Sequence, residues 1–208
     1  PFLINEEQEK KDYCVIYNLT VIQNSETEEK IIVRNEYRWE KKINELNVQS
    51  AYEKANAGFI EFHRYPDATD TYLPDFEDSL KMNPESPEGF AALGNYYLYL
   101  GETQRASELI KKAIEYDPDL ESPIVLKAYG ALLFSQNDYE SAKSAFQKSL
   151  EIDSSFPYSL RNLAFINVKD GEIKTAVKNL EKAVELDPDW IYPLDDLASL
   201  YYLQRNYD

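Results

Sequence analysis

Three copies of one motif decide the fold of this chain: RASELIKKAIEYDPD at residues 105–119, ESAKSAFQKSLEIDSS at residues 140–155 and KTAVKNLEKAVELDPD at residues 174–189. Each copy places a small residue just before an apolar stripe with helical spacing, at Ala106, Ala142 and Ala176. These alanines are 36 and 34 residues apart. A period of this length predicts a stack of helix pairs, in which each pair buries its apolar face against its neighbours.

The segments between these motifs are also in register. Small residues recur there at Gly94, Gly130 and Ala164. A small side chain at such a position lets the two helices of a pair approach closely, while bulkier residues one turn away fill the core. The segments therefore predict the first helix of each pair, packed against the second helix at the small residue.

Turn and cap residues mark the ends of the predicted helices. Ser86-Pro87 and Ser122-Pro123 each place a capping hydroxyl before a proline at the first helical position. Glycine and asparagine tolerate the left-handed conformation in which many helices end, and such residues follow each first helix at Gly101, Asn137 and Gly171. Together these signals predict antiparallel helix pairs over about 87–118, 123–153 and 157–187.

In these residues the chain resembles the tetratricopeptide repeat family, whose unit is a helix–turn–helix of about 34 residues. The resemblance implies an all-α solenoid, a right-handed superhelix of antiparallel helix pairs. It also implies a scaffold that binds a protein or peptide partner in its concave groove, and no enzymatic activity. Residues 85–208 are expected to contain three repeats and the first helix of a further repeat.

Two segments precede these repeats. Residues 48–84 resemble a degenerate leading repeat or cap, with a capping box from Ser50 to Glu53 and with Ile60 and Tyr72 at the two small positions. Residues 1–47 form an N-terminal extension in which two alternating runs predict a small β-hairpin. A charged helix over residues 30–46 is the alternative interpretation of the second run.

Composition excludes several classes of function. A formal net charge of −16 opposes attraction to nucleic acid, and no apolar run approaches the ~20 residues needed for membrane insertion. Cys14 and His63 are the only residues of their kinds, and we expect no metal, no cofactor and no catalytic dyad. One cysteine cannot form an intramolecular disulfide, which is compatible with a reducing compartment such as the cytoplasm.

A candidate binding groove can be located from the phase of the repeats. Lys127 and Arg161 occupy equivalent places on adjacent first helices, which predicts a short basic ladder for an acidic or C-terminal segment of a partner. The alternative is that both cations pair with carboxylates of the next repeat. The other candidate residues of the groove are Asn95, Phe134, Tyr158, Asn162 and Phe165.

One known specificity of the family is not expected here. Chaperone-binding members carry a five-residue clamp of lysines, asparagines and an arginine that holds a peptide C-terminus. Asn95 matches one clamp asparagine, but Ala91 and Ala128 replace a lysine and another asparagine. The resemblance therefore does not extend to that ligand.

The C-terminal segment predicts an apolar end of the solenoid. Leu194, Leu197 and Tyr201 are expected to cover the preceding repeat, and Leu200, Tyr202 and Leu203 are expected to face outward. Such an end invites a homodimer or further residues of a longer protein. The alternative from another functional class is that the chain is the regulatory or assembly portion of a larger enzyme.

Overall fold

The computed structural model describes the backbone of residues 46–207 and the side chains of residues 46–202. Nine helices and no strands lie within this part of the chain. The predicted β-hairpin and Cys14 lie outside it. The helices are α1 (46–64), α2 (Thr69–Met82), α3 (Pro87–Tyr99), α4 (Thr103–Tyr116), α5 (Pro123–Ser135), α6 (Tyr139–Ile152), α7 (Pro157–Lys169), α8 (Ile173–Leu186) and α9 (Ile191–Tyr207).

The predicted helix pairs are confirmed as α3–α4, α5–α6 and α7–α8. Each pair consists of two helices of 13 and 14 residues joined by a short turn. In the turns, Gly101, Asn137 and Gly171 have φ values of +77°, +65° and +77°. The left-handed conformation expected from these residue types is therefore present in all three turns.

Small residues bring the paired helices into close contact. A Cβ atom added at Gly94 would lie 2.5 Å from Cγ1 of Ile110, and one at Gly130 would lie 2.6 Å from Cε1 of Phe146. Separations this short leave no room for a side chain unless the neighbour moves. The bulky residue of the second helix thus packs directly on the backbone of the first.

The same contact is made one unit earlier, but not at the predicted residue. A Cβ atom at Gly58 would lie 2.8 Å from Cε1 of Phe76, so Gly58 is the small residue of the α1–α2 pair and the assignment of this position to Ile60 is wrong. The predicted position is two residues too late because Gly58 and Gly94 are 36 residues apart, whereas Phe76 and Ile110 are 34 apart. Tyr72 is buried, and its hydroxyl donates to the carbonyl of Pro66.

The N-terminal caps follow the sequence only in part. The Ser86 hydroxyl accepts from the backbone N–H of Gly89 at 3.2 Å, whereas Ser122 stands at the N-cap of α5 without such a bond. The predicted capping box at Ser50 is also wrong, because helix α1 already includes residues 46–50. The helix ends at residue 64.

Helix α1 contacts residues that are more than ninety positions away in the sequence. The ring of Phe59 lies 5.8 Å from that of Phe156 and 5.1 Å from that of Tyr158, between centroids. Trp190 Nε1 donates to the carbonyl of His63 at 2.7 Å. These rings belong to one buried cluster, so the first helix and the turn between α8 and α9 share a core.

An ion pair adds to this long-range contact. Arg64 Nη2 donates to Asp187 Oδ1 at 2.7 Å, across 123 positions of sequence. The hydrogen bond to Asp187 raises the pKa of Arg64, and the Asp187 side chain is only 7% exposed. A carboxylate with so little access to water stabilises the charge of its partner more than a surface carboxylate does.

At the C-terminal end, α9 is rotated relative to the prediction. Leu200 is buried with Ala164, Ala176 and Leu180, and therefore covers the preceding repeat instead of facing outward. Leu197 packs there as expected, whereas Leu194 is 44% exposed. The prediction for Leu203 lies outside the described side chains. The division into residues 1–47, 48–84 and 85–208 stays a prediction.

Candidate functional site: a basic, aromatic cavity

A cavity of about 480 Å³ opens where the first helices of successive pairs face α1 and the α8–α9 turn. Adjacent first helices contribute one amide and two basic side chains: Asn95 of α3, Lys127 of α5 and Arg161 of α7. Aromatic rings form much of the remaining wall. The other lining residues are Phe62, His63, Pro66, Leu98, Tyr99, Ala131, Ser135, Trp190 and Tyr192.

Lys127 is the most unusual group of this cavity. The residue is only 6% exposed, and its Nζ donates to Asn95 Oδ1 at 2.9 Å. Asn95 is itself held, because its Nδ2 donates to the carbonyl of Ala91. Burial lowers the pKa of the Lys127 ammonium from 10.5 to about 7, and the charge of Arg161 contributes in the same direction. An amide oxygen accepts from a neutral amine as well as from an ammonium, so this bond does not require a charged lysine.

Arg161 has a carboxylate partner. Its Nε donates to Asp196 Oδ2 of α9, and its guanidinium carbon lies 4.7 Å from the ring centre of Phe165 and 5.4 Å from that of Tyr192. The sequence left open whether the two cations pair with carboxylates of the next repeat. Pairing is observed for Arg161, whereas the hydrogen-bond partner of Lys127 is an amide.

Two other ionisable side chains, His63 and Tyr158, lie beside these cations. The pKa of His63 is lowered and that of Tyr158 is raised. Burial, and then the charge of Lys127, lowers the pKa of His63 well below 6.5. Its Nδ1 donates to the Phe59 carbonyl, and its ring lies 4.4 Å from that of Tyr158. Burial, and then Asp187, raises the pKa of Tyr158. Both side chains are therefore uncharged at neutral pH, whereas the Lys127 amine, with a pKa of about 7, is partly protonated there.

Four of the seven predicted groove residues do not line the cavity. Tyr158 is only 4% exposed and is covered by the chain's own α1. Phe134 packs against Tyr139 and the α6–α7 core, Asn162 donates to the Tyr158 carbonyl, and Phe165 lies under Arg161.

The walls that α1 and the α8–α9 turn provide were not predicted from the sequence. Trp190 occupies the position before a first helix where Ser86 and Ser122 stand in earlier repeats, and Phe156 occupies it in the third. A change from a capping residue to a large aromatic residue at a repeated position was the available signal. Such a change indicates that the side chain at this position is buried against another part of the chain. In the structure, Phe156 contacts Phe59 and Trp190 contacts His63.

The chemistry of the cavity suits recognition of a negatively charged group with an apolar or aromatic attachment. Within residues 46–202 no group of three or more metal-binding side chains is found. Across the described helices, none has both the length and the apolar character to cross a membrane. The side chains that line the cavity offer cations and ring faces as its binding groups.

The sequence profile of the tetratricopeptide repeat matches residues 87–120, 128–156 and 159–189. These three segments coincide with the helix pairs α3–α4, α5–α6 and α7–α8. The chain is a tetratricopeptide repeat protein, and its repeats indicate a scaffold for protein–protein interaction.

Similar proteins share this part of the chain. The BBSome complex member BBS4 homolog of Drosophila melanogaster is 26% identical over 78% of this chain and 34% of its own length. The anaphase-promoting complex subunit 3 of Schizosaccharomyces pombe is 24% identical over 62% of this chain and 19% of its own length. The chain thus spans about a third or less of these relatives.

A solved structure supports the fold. The structure of pilF from Pseudomonas aeruginosa superposes with a TM-score of 0.52 at 22% identity, over 77% of this chain and 72% of that one. Similarity at this level shows a shared arrangement of helices.

Proposed function

We propose that this chain is a non-catalytic scaffold that binds an acidic or C-terminal segment of a partner protein in the cavity beside Lys127. The supporting observation is the buried Lys127 amine, whose hydrogen-bond partner is Asn95 and not a carboxylate. A carboxylate from a partner would supply the opposite charge that Asp196 already supplies to Arg161. Both relatives described above are named as members of multiprotein complexes, which agrees with a role in assembly.

The rest of the cavity would hold the side chains of such a segment. Tyr99, Trp190 and Tyr192 present aromatic surface next to the two cations. Aromatic side chains combine a large contact area with few rotatable bonds, which favours them at binding sites. A segment that becomes ordered on binding loses affinity to conformational entropy, so we expect micromolar affinity, roughly −8 kcal/mol.

Binding of acidic peptides tests this proposal. Fluorescently labelled hexapeptides with a free C-terminal carboxylate and two further acidic residues would be titrated with the 208-residue chain, followed by anisotropy. We expect Lys127→Gln to weaken binding about tenfold, the loss of one charge-assisted contact. Binding should also weaken from pH 7 to pH 9, because a pKa of about 7 means that the amine loses its charge in this range.

Two controls separate this site from general attraction between charges. Lys143→Gln removes a partly exposed cation that pairs with Asp170 outside the cavity, and should leave binding unchanged. Peptides with an amidated C-terminus report the part played by the terminal carboxylate. Equal binding by wild type and Lys127→Gln at low salt would refute the proposed site.

The alternative functional class stays a prediction. The chain covers only 34% and 19% of the two relatives, and a regulatory or assembly portion of a larger enzyme would be built from the same repeats. An activity that depends on residues of this chain would contradict the non-catalytic proposal.

We also propose self-association through the C-terminal end. The exposed apolar side chains of α9 there include Ile191 at 64% and Leu194 at 44%. If they form an interface between two copies, sedimentation velocity should show a concentration-dependent dimer that Leu194→Glu abolishes. A single monomeric species at all concentrations would refute this interface.

A further inference from the structure

We propose that Lys127 is a reactive amine that captures small aldehydes or ketones bearing a carboxylate, and that Arg161 selects them by their carboxylate. This is a ligand-binding and modification site for oxo acids. It does not rest on the proposed peptide interaction, because it requires the uncharged lysine and a covalent bond to it.

The position of the amine supports capture of a small ligand. Lys127 is almost fully buried as a residue but lines a cavity of about 480 Å³, so its amine meets the cavity and not bulk water. Nζ also lies 5.4 Å from the ring centre of Phe59, a buried residue that does not line the cavity. Cavities of roughly 300–1,000 Å³ accommodate small organic ligands.

The groups around the amine favour its reactivity. Those facing Lys127 are His63 from α1, Asn95 from α3 and Arg161 from α7, and Asp196 of α9 lies on the far side of Arg161 as its partner. None of the facing groups is a carboxylate among the described side chains. A lysine desolvated in an apolar pocket beside another cation is the arrangement that activates amines toward carbonyl compounds.

The hydrogen bonds of Arg161 leave it able to select a carboxylate. Asp196 engages Nε and Nη2 of Arg161, one edge of the guanidinium, and this pair does not use Nη1. Arg161 and Lys127 line the same cavity, so a ligand with a carboxylate at one end and a carbonyl at the other can contact both. The rings of Trp190 and Tyr192 favour an aromatic or planar spacer between these ends.

The reaction is a condensation that balances without any further reagent. The nitrogen lone pair of Lys127 attacks the carbonyl carbon, and the carbonyl π electrons move to the oxygen. The two protons of the amine then leave with that oxygen as water, while a carbon–nitrogen double bond forms. The imine is reversible, so the ligand can be released by hydrolysis.

Reductive trapping tests the proposal. The native 208-residue chain would be incubated at pH 7 with 4-formylbenzoate and cyanoborohydride, and modified lysines located by peptide mass spectrometry. Exposed Lys148 serves as the internal reference. With a pKa of about 7 against 10.5, the free-amine fraction of Lys127 exceeds that of an exposed lysine roughly 10³-fold. Even after restricted access, we expect Lys127 to react at least tenfold faster.

Further arms examine each part of the mechanism. The rate at Lys127 should level off above pH 7, whereas the rate of a free lysine in solution should keep rising with pH. Selectivity should vanish in urea, where both lysines are exposed. Benzaldehyde, which lacks the carboxylate, should react more slowly at Lys127 in wild type but equally in Arg161→Gln/Asp196→Asn, which removes the pair without leaving a lone charge.

Two results would overturn the proposal. Modification spread over exposed lysines, with Lys127 unmodified in the folded protein, would show that the amine is not reactive. Equal rates for 4-formylbenzoate and benzaldehyde in wild type would remove the role of Arg161. Both results are measured on the wild-type chain, with the reference lysine in the same sample. Neither result therefore depends on whether a variant folds.

Discussion

Replacing Lys127 with methionine is expected to stabilise the protein at neutral pH. The unfolded lysine has a pKa near 10.5, and burial lowers the folded value to about 7. Between these values the unfolded chain binds more protons, so the cost of the lysine is fully present below pH 7 and is lost as the pH rises toward 10.5. The variant should gain about 4 kcal/mol at pH 7 and about 2 kcal/mol at pH 9.

Urea denaturation at several pH values measures this difference. The Lys143→Met variant is the matched control, because Lys143 is paired with Asp170 at the surface and should show little change between pH 6 and pH 9. A Lys127→Met variant no more stable than wild type, with a difference that does not vary with pH, would show that Lys127 titrates as an ordinary lysine.

Replacing Trp190 with alanine is expected to cause the largest loss of stability. Trp190 is 2% exposed, contacts Tyr158 at 4.8 Å and His63 at 6.0 Å between ring centroids, and donates to the His63 carbonyl. Truncation of a buried large aromatic residue costs about 3–5 kcal/mol. Trp190→Phe keeps a ring and loses the hydrogen bond, so its cost should be about 1–2 kcal/mol.

Denaturation together with hydrogen exchange measures the effect of Trp190. The alanine variant should lower the protection of amides in α1, because Trp190 bonds to that helix directly. Tyr116→Ala serves as the control, since Tyr116 is 45% exposed and stacks on Phe90 alone among the ring contacts described. A loss for Trp190→Ala no larger than for Tyr116→Ala would contradict the importance of the long-range contact.

The sequence predicted the repeats well because their determinants are local. Turn residues such as Gly101 and Asn137, and close contacts such as that of Gly94 with Ile110, lie within one unit and recur at a fixed period. The leading unit was placed with the wrong small residue because its spacing differs by two residues from the repeat that follows. The alignment of repeat positions cannot be extrapolated across an insertion unless a known contact fixes the alignment on the other side.

The cavity was predicted in part for a similar reason. Lys127 and Arg161 are 34 residues apart on adjacent first helices, so the period alone places them side by side. The walls from α1 and Trp190 join residues 127 positions apart, which no local pattern encodes. The sequence also could not predict whether each of the two cations pairs with a carboxylate. That pairing depends on the rotation of α9, which places Asp196 against Arg161.

The contact between α1 and the α8–α9 turn changes how this molecule is expected to fold. In an open repeat array each unit touches only its neighbours, and the terminal units unfold independently. Here the Trp190–His63 bond closes a loop of 127 residues, and closing a loop of that length costs about 4 kcal/mol of chain entropy. This entropy loss is offset only when the intervening helices have already formed. The contact between the two ends of the array should therefore form late in folding and couple those ends. Unfolding should consequently be cooperative across the array, with both ends released in the same step.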